Sequence, residues 1–341
     1  MSSDQIWLCL SGGNALGAYQ AGAYEALSES GVQFTRIAGA SIGAVNGALI
    51  LGNRPEERVA RLQEFWRVAA DSSTAAVNLG GFAHMERMRS SIMSLLVGKP
   101  GLFRPSFPGP WSALPFVASD DSLFRTERQR ETLKRLIDFE LLNQSGVPFQ
   151  VTAVDIETGS DVAFANSDVQ LSIDHIMAST AFPIAFPLVK MNGRTYGDPG
   201  LSANLPLRAL FSRSPQQEVV CICLDLFQGP GVVPRSLEEA VGRTSDLLFA
   251  SQTRHAISEV RNGLQDANGP SVTLIHAAYG GDEEIGLKAV DYSRSSLAQR
   301  WKSGHRDGIK IAEFLQNPPT RRRGRFDLWR KSVTGVLEYD G

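Results

Sequence analysis

The sequence predicts an α/β fold with a mostly parallel central sheet, and three observations carry that prediction. Short continuous apolar runs end at small-residue turns, as in IWLCL (6–10) before Ser11-Gly12-Gly13. Each of the first two runs is followed by a stretch of helix-forming composition. Later runs, VVCICLDLF (219–227) and SVTLIHAA (271–278), are apolar throughout, as strands covered on both faces must be. Strand, turn and helix in alternation imply parallel strands joined by right-handed crossovers. Functional sites are then expected at the carboxyl ends of the strands.

Taken in order, residues 6–10 read as a strand and GAYQAGAYEALSES as a helix closed by Gly31. Phe34 to Ala40 is a second strand leading into Ser41, and helical composition resumes over 42–52. Asn53 is placed to cap a further helix, with Pro55, Glu56 and Glu57 in its first turn and Val59, Leu62, Trp66 and Val68 along one face. Residues 71–121 carry Pro100, Pro105, Pro108, Pro110 and Pro115 and read as an insertion or lid. Within it, Phe82, Met85, Met88, Ile92 and Leu95 or Leu96 fall on one helical face, a pattern that serves core packing or a lid or membrane-docking helix. Thr126 to Leu142 reads as one charged amphipathic helix, PFQVTAVDIETG and DVAFAN as two strands, and 235–262 and 293–316 as long helices.

Composition excludes several classes of function. The chain has 341 residues, 43% apolar and 21% charged, with a formal net charge of −2, so bulk nucleic-acid binding is not expected. Length alone fits one large α/β domain or two ordinary ones. Cys9, Cys221 and Cys223 lie inside apolar runs without metal-site or disulfide spacing, which suits small buried hydrophobes in a reducing compartment. No cluster has metal-ligand spacing, and no metal or cofactor is expected. The N-terminus has no basic region and only a short apolar run, so a cytoplasmic protein is the expectation. The segment RRRGRFDLWRK (321–331) is Arg or Lys at six of eleven positions and reads as a basic tail, solvated or held against anionic lipid. Nothing in the sequence indicates an oligomeric state.

Three short motifs carry chemistry. SGGNALG (11–17) stands where a strand hands over to a helix, so backbone N–H groups converge on any anion bound there. It lacks the Gly-Lys-Ser/Thr of a phosphate loop, and Asn14 stands where a dinucleotide fingerprint needs glycine. The second motif is Gly39-x-Ser41-x-Gly43, the pattern of a nucleophile elbow, in which a serine sits on a strained strand-to-helix turn with its hydroxyl exposed. An oxyanion hole is then the fitting use of the glycine loop, because acyl transfer needs preorganised N–H donors. The third is Asp198 within Tyr196-Gly197-Asp198-Pro199-Gly200, which is either an ordinary turn or the site of a base. The histidines are His84, His175, His255, His276 and His305. Those after Asp198 would suit a Ser-Asp-His triad in order, but none sits in a glycine-marked turn.

Together these pieces resemble the patatin-like phospholipase family. Its glycine loop corresponds to GGNALG (12–17), its elbow to GASIG (39–43), and its aspartate box to Asp198-Pro199-Gly200 followed by Asn204-x-Pro206. AVDIETG (153–159) and ASTAFPIAFPLV (178–189) are similar to the family's connecting segments. The resemblance covers about residues 5–210, a catalytic core, with 211–316 as a continuation of the same domain and 317–341 as the basic tail.

That resemblance implies a three-layer α/β/α fold and a catalytic dyad of Ser41 and Asp198, with N–H groups of Gly12, Gly13 and Asn14 as the oxyanion hole. It implies lipid acyl esters as substrates, water as acyl acceptor and no cofactor. A thioesterase or acyltransferase would use the same dyad. Pro199 departs from the family pattern by deleting an N–H next to the base, so a lipid-binding pseudoenzyme is a further reading.

Overall fold

The computed structural model describes residues 5–70, 91, 93–94, 98–99, 101–109, 120–265, 269–281, 287–318, 325–332 and 334–340. The strands are β1 (Gln5–Leu10), β2 (Arg36–Ala40), β3 (Arg104–Pro105), β4 (Phe124–Arg125), β5 (Phe149–Asp155), β6 (Asp161–Ala165), β7 (Val189–Met191), β8 (Arg194–Gly197), β9 (Val219–Asp225), β10 (Val272–Ala278), β11 (Phe326–Lys331) and β12 (Leu337–Tyr339). The helices are α1 (Ala18–Glu29), α2 (Ile42–Leu51), α3 (Arg58–Ala70), α4 (Glu127–Leu136), α5 (Phe139–Asn143), α6 (Ile173–Ser179), α7 (Leu207–Leu210), α8 (Leu237–Gln265) and α9 (Arg294–Gln316).

Among the described residues, ten strands form one sheet in the order β12-β11-β10-β9-β1-β2-β5-β8-β7, with β6 also paired to β5. The pairings from β11 across to β5 are parallel, and the antiparallel ones lie at the two margins. The sheet is thus mostly parallel, and its central strands β1 and β9 are the apolar runs that read most clearly in the sequence. Successive side chains on a strand point to opposite faces, and both faces are buried here. Leu8, Leu10, Ile222 and Leu224 pack on one side with α1, α2 and α3, whereas Trp7, Cys9, Cys221 and Cys223 pack on the other with α7 and α8. Helix layers on both faces make the fold three-layered. On the first side α9 lies against α1 at very close range, since a Cβ on Gly22 would come within 2.0 Å of the Trp301 carbonyl oxygen.

Several elements differ from the sequence reading, each for a local reason. Asn53 does not cap α3, which begins at Arg58; its side-chain amide instead donates to the carbonyls of Leu49 and Leu136, both at 2.9 Å. The helix expected over 126–142 is broken into α4 and α5, because Asp138 accepts from the N–H groups of Glu140 and Leu141 and starts a new helix there. The basic tail is corrected over its second half: residues 326–331 are strand β11, parallel to β10, with Phe326 and Leu328 buried and Trp329 packed on Phe314 at 5.0 Å. Of the insertion at 71–121, residues 71–90 and 110–119 lie outside the described residues, as do most of the helical face at 82–96 and Arg321 to Gly324. Among the described residues no helix is long and apolar enough to cross a membrane.

Candidate active site

Strand β2 ends at Ala40 and α2 begins at Ile42, leaving Ser41 alone to turn the chain, with φ 52° and ψ −122°. A non-glycine residue with positive φ is strained, and the surroundings must hold it there. The two motif glycines allow the turn to close: a Cβ on Gly39 would lie 2.5 Å from the Gly43 carbonyl oxygen, and one on Gly43 would lie 2.3 Å from that of Leu10. Both backbone groups of Ser41 are also tied. Its N–H donates to Ser179 Oγ at 2.9 Å, and its carbonyl accepts from the N–H groups of Ala44 and Val45 at the start of α2.

With its backbone held, the Ser41 hydroxyl donates to Asp198 Oδ2 at 2.5 Å. Asp198 follows β8 directly, its N–H donating to the Ala181 carbonyl at 2.9 Å, and its side chain caps the turn Pro199–Leu201 by accepting from the Gly200 N–H at 2.8 Å on Oδ1. Each carboxylate oxygen therefore has one donor. Asp198 is 4% exposed, and burial raises its pKa to about 6, against the opposing pull of the Ser41 and Gly200 hydrogen bonds. A carboxylate of that basicity is ionised at neutral pH and closer in pKa to a serine hydroxyl than a solvated aspartate is.

The glycine loop packs directly beside the elbow. A Cβ on Gly12 would meet Ser41 Cβ at 3.0 Å and Asn204 Oδ1 at 2.4 Å. The assignment of Gly12 as an oxyanion donor is corrected by its hydrogen bond: its N–H donates to the Asn204 carbonyl at 3.0 Å while its own carbonyl accepts from Asn204 Nδ2 at 3.1 Å. Gly12 fixes the loop to the aspartate box and has no N–H left for a ligand. The N–H groups of Gly13 and Asn14 form no hydrogen bond among the described residues. Asn14 has φ 53°, a region asparagine tolerates better than most residues.

Gly13, Asn14, Ser41 and Asp198 all line one cavity of about 240 Å³, whose remaining wall is mainly apolar and aromatic, including Phe65, Trp66, Phe103 and Phe186. An apolar chamber with a few convergent polar groups is the usual form of a small-molecule site. None of the described histidines reaches the serine. His276 Nε2 lies 3.1 Å from Asp225 Oδ2, His305 pairs with Glu29, His175 completes the cap of α6, and His255 is exposed on α8. His84 lies outside the described residues.

Three contributors were not legible beforehand. Ser179 was read only as part of a connecting segment, yet it holds the Ser41 backbone from 138 positions away. Gly200 supplies the donor that the proline at 199 cannot. Gln252 on α8 ties this box further, accepting from the Asn204 N–H at 2.9 Å and donating to the Gly200 carbonyl at 3.2 Å.

The family model described as patatin-like phospholipase matches residues 8–211. The chain belongs to the patatin-like phospholipase family. The matched span contains the glycine loop, the elbow and the aspartate box, and α8, α9 and β9 to β12 lie beyond it. Two uncharacterized NTE family proteins, from Mycobacterium bovis and Mycobacterium tuberculosis, are each 23% identical to this patatin-like chain over 206 residues. The match takes in 60% of this chain and 45% of each relative, so the chain spans less than half the length of these curated relatives. Among solved structures, VipD from Legionella pneumophila is similar with a TM-score of 0.45 at 13% identity, over 92% of this chain and 67% of that one.

Proposed function

We propose that this patatin-like protein is a serine lipid acyl hydrolase that works through a Ser41-Asp198 dyad. The observation that carries the reading is the 2.5 Å hydrogen bond from the Ser41 hydroxyl to a buried carboxylate at the wall of an apolar cavity. Membership of a lipid hydrolase family supports the same chemistry.

In the first half-reaction Asp198 Oδ2 takes the hydroxyl proton as Ser41 Oγ attacks the acyl carbonyl. Negative charge develops on the carbonyl oxygen, and the N–H groups of Gly13 and Asn14 are the free donors beside it. Collapse breaks the bond to the leaving alcohol, which receives the proton from Asp198, and the acyl group remains on Ser41. Water then attacks the acyl-enzyme with Asp198 again as base, releasing a carboxylic acid and restoring the serine. Throughout, Gly200 holds Oδ1, so the carboxylate keeps Oδ2 turned toward Ser41. The aromatic wall suits an acyl chain, whose burial stabilises by about 0.8 kcal/mol per methylene.

Against the pseudoenzyme reading stands the Gly200 N–H, which donates to the Asp198 carboxylate in a turn where residue 199 has no N–H to give. The thioesterase or acyltransferase reading differs only in leaving group or acceptor. A hydrolysis screen over acyl esters and thioesters of graded chain length, with and without an added alcohol, tests the proposal. Release of free fatty acid from esters that vanishes in Ser41→Ala is the expected result. Turnover that appears only with an alcohol present would reassign the protein as an acyltransferase.

A further inference from the structure

Asn14 carries one of the two free oxyanion donors, and it is the loop residue whose backbone conformation is least favoured by its own chemistry, at φ 53°. Its side chain is not loose. Tyr292 donates its hydroxyl hydrogen to Asn14 Oδ1 from 278 positions further along the chain. Tyr292 itself is 2% exposed, stands on the cavity wall with Asn14, and has its ring against Phe103 at 6.2 Å. Burial pushes its phenol pKa up, against the nearby charge of Arg300, so it remains an O–H donor across the working pH range.

The segment bearing Tyr292 is itself fastened to the loop. Arg300 on α9 is fully buried and donates to the carbonyls of Lys288 at 2.9 Å and Asp291 at 2.7 Å on one side, and to that of Ala15 at 3.2 Å on the other. One guanidinium thus joins the turn before Tyr292 to the residue after Asn14. Ser293 caps α9 and Asp291 accepts from the Ser293 N–H and from the Ser296 hydroxyl, which fixes the turn from its far end. Lys288, Asp291, Tyr292, Ser293, Ser296 and Arg300 all lie outside the 8–211 span that the family model matches.

We infer that Tyr292 is a positioning residue for the oxyanion hole, acting through the Asn14 side chain to hold residues 13 and 14 in the conformation that presents their N–H groups to the acyl oxygen. The inference rests on the acyl hydrolase reading of the site. A donor aimed before the reaction costs no reorganisation during it, so loosening the loop lowers kcat and leaves substrate binding in the apolar cavity largely unchanged.

The test is a double-mutant cycle on ester turnover, using Tyr292→Phe and Asn14→Gly separately and together. Tyr292→Phe keeps the ring against Phe103 and removes only the hydroxyl, and Asn14→Gly accepts positive φ without strain. The expected result is that Tyr292→Phe lowers kcat about tenfold with KM nearly unchanged, a fraction of the loss for deleting an oxyanion donor outright. In the Asn14→Gly background the same substitution should change kcat less than about twofold, because the group that Tyr292 holds is gone. Equal losses in both backgrounds would make Tyr292 a purely structural residue and overturn the inference, as would wild-type kcat in Tyr292→Phe. Asn14→Ala removes the acceptor from the other side and should also lower kcat with KM held; wild-type turnover in that variant would overturn the inference as well. A wild-type protein whose turnover equals that of Ser41→Ala would overturn the hydrolase reading itself, a result separable from all of these.

Discussion

The Gly200 N–H donates to Asp198 Oδ1 at 2.8 Å, across the one residue of the turn that has no N–H to give. Pro199 begins that turn with its φ already fixed, while the carboxylate receives its orienting hydrogen bond one residue later. The proline is compatible with a working base for that reason.

Pro199→Gly should therefore leave kcat within about twofold of wild type, since the donor that orients the base is unchanged. It should lower stability by about 0.5–1 kcal/mol, because glycine adds conformational freedom to the unfolded chain. Steady-state kinetics and urea unfolding measure the two effects. A large rise in turnover would show that the proline impairs the base.

The pH dependence of kcat/KM should show an acidic limb with an apparent pKa near 6, set by the desolvated Asp198 carboxyl in the free enzyme. Activity falls as pH drops through that value, because the protonated acid cannot accept the serine proton. A limb near 4 would mean that the carboxyl is solvated in the working protein.

The same burial has a stability consequence with a definite sign. Asp198 titrates higher in the folded protein than in the unfolded chain, so the unfolded chain binds fewer protons between about pH 4 and pH 6 and stability declines as pH rises through that window. Above it, the ionised carboxylate costs roughly 2–3 kcal/mol relative to a neutral group of the same shape. Asp198→Asn should be inactive yet more stable than wild type at pH 8, with the difference shrinking toward pH 4. Thermal melts of both proteins across that range provide the check, and an equally or less stable Asp198→Asn at pH 8 would contradict the account.

Ser179→Ala removes the acceptor of the half-buried Ser41 N–H, a loss of about 1 kcal/mol. The strained elbow is then less firmly held. Lower stability together with a reduced kcat is expected, and fluorophosphonate labelling of Ser41 should slow in proportion. Unchanged melting and labelling would remove Ser179 from the machinery.

Much of this architecture was readable from residues because central parallel strands must be apolar on both faces, as β1 and β9 are, and because each is punctuated by small-residue turns. The turn at Ser41 was legible for a related reason, since an elbow is a local backbone device with local residue requirements, whereas Asp198 alone read equally as an ordinary turn and was singled out by the family resemblance. What was not legible depends on partners distant in sequence. Gly12 belongs to a motif expected to supply oxyanion donors, yet whether its N–H is free is decided by Asn204, and nothing within the loop reveals that. Ser179 and Tyr292 carry no motif of their own. The reading of residues 326–331 as a tail followed charge density, although Phe326 and Leu328 repeat at the two-residue period of a strand and pack on the face shared with Trp7 and Cys9. Asp138 splits the helix expected over 126–142 by capping, a signal present in the sequence but outweighed there by the amphipathic pattern on both sides.

Mass-spectrometric mapping of a fluorophosphonate adduct tests the central claim most directly, because the reagent reports which atom is the activated nucleophile whatever the natural substrate is. The dyad predicts a single adduct on Ser41, none in Ser41→Ala, strongly slowed labelling in Asp198→Asn, and near-normal labelling when His255, His276 or His305 is replaced in a folded protein. An adduct on another residue, no adduct at all on wild type, or loss of labelling in a folded histidine variant would contradict it.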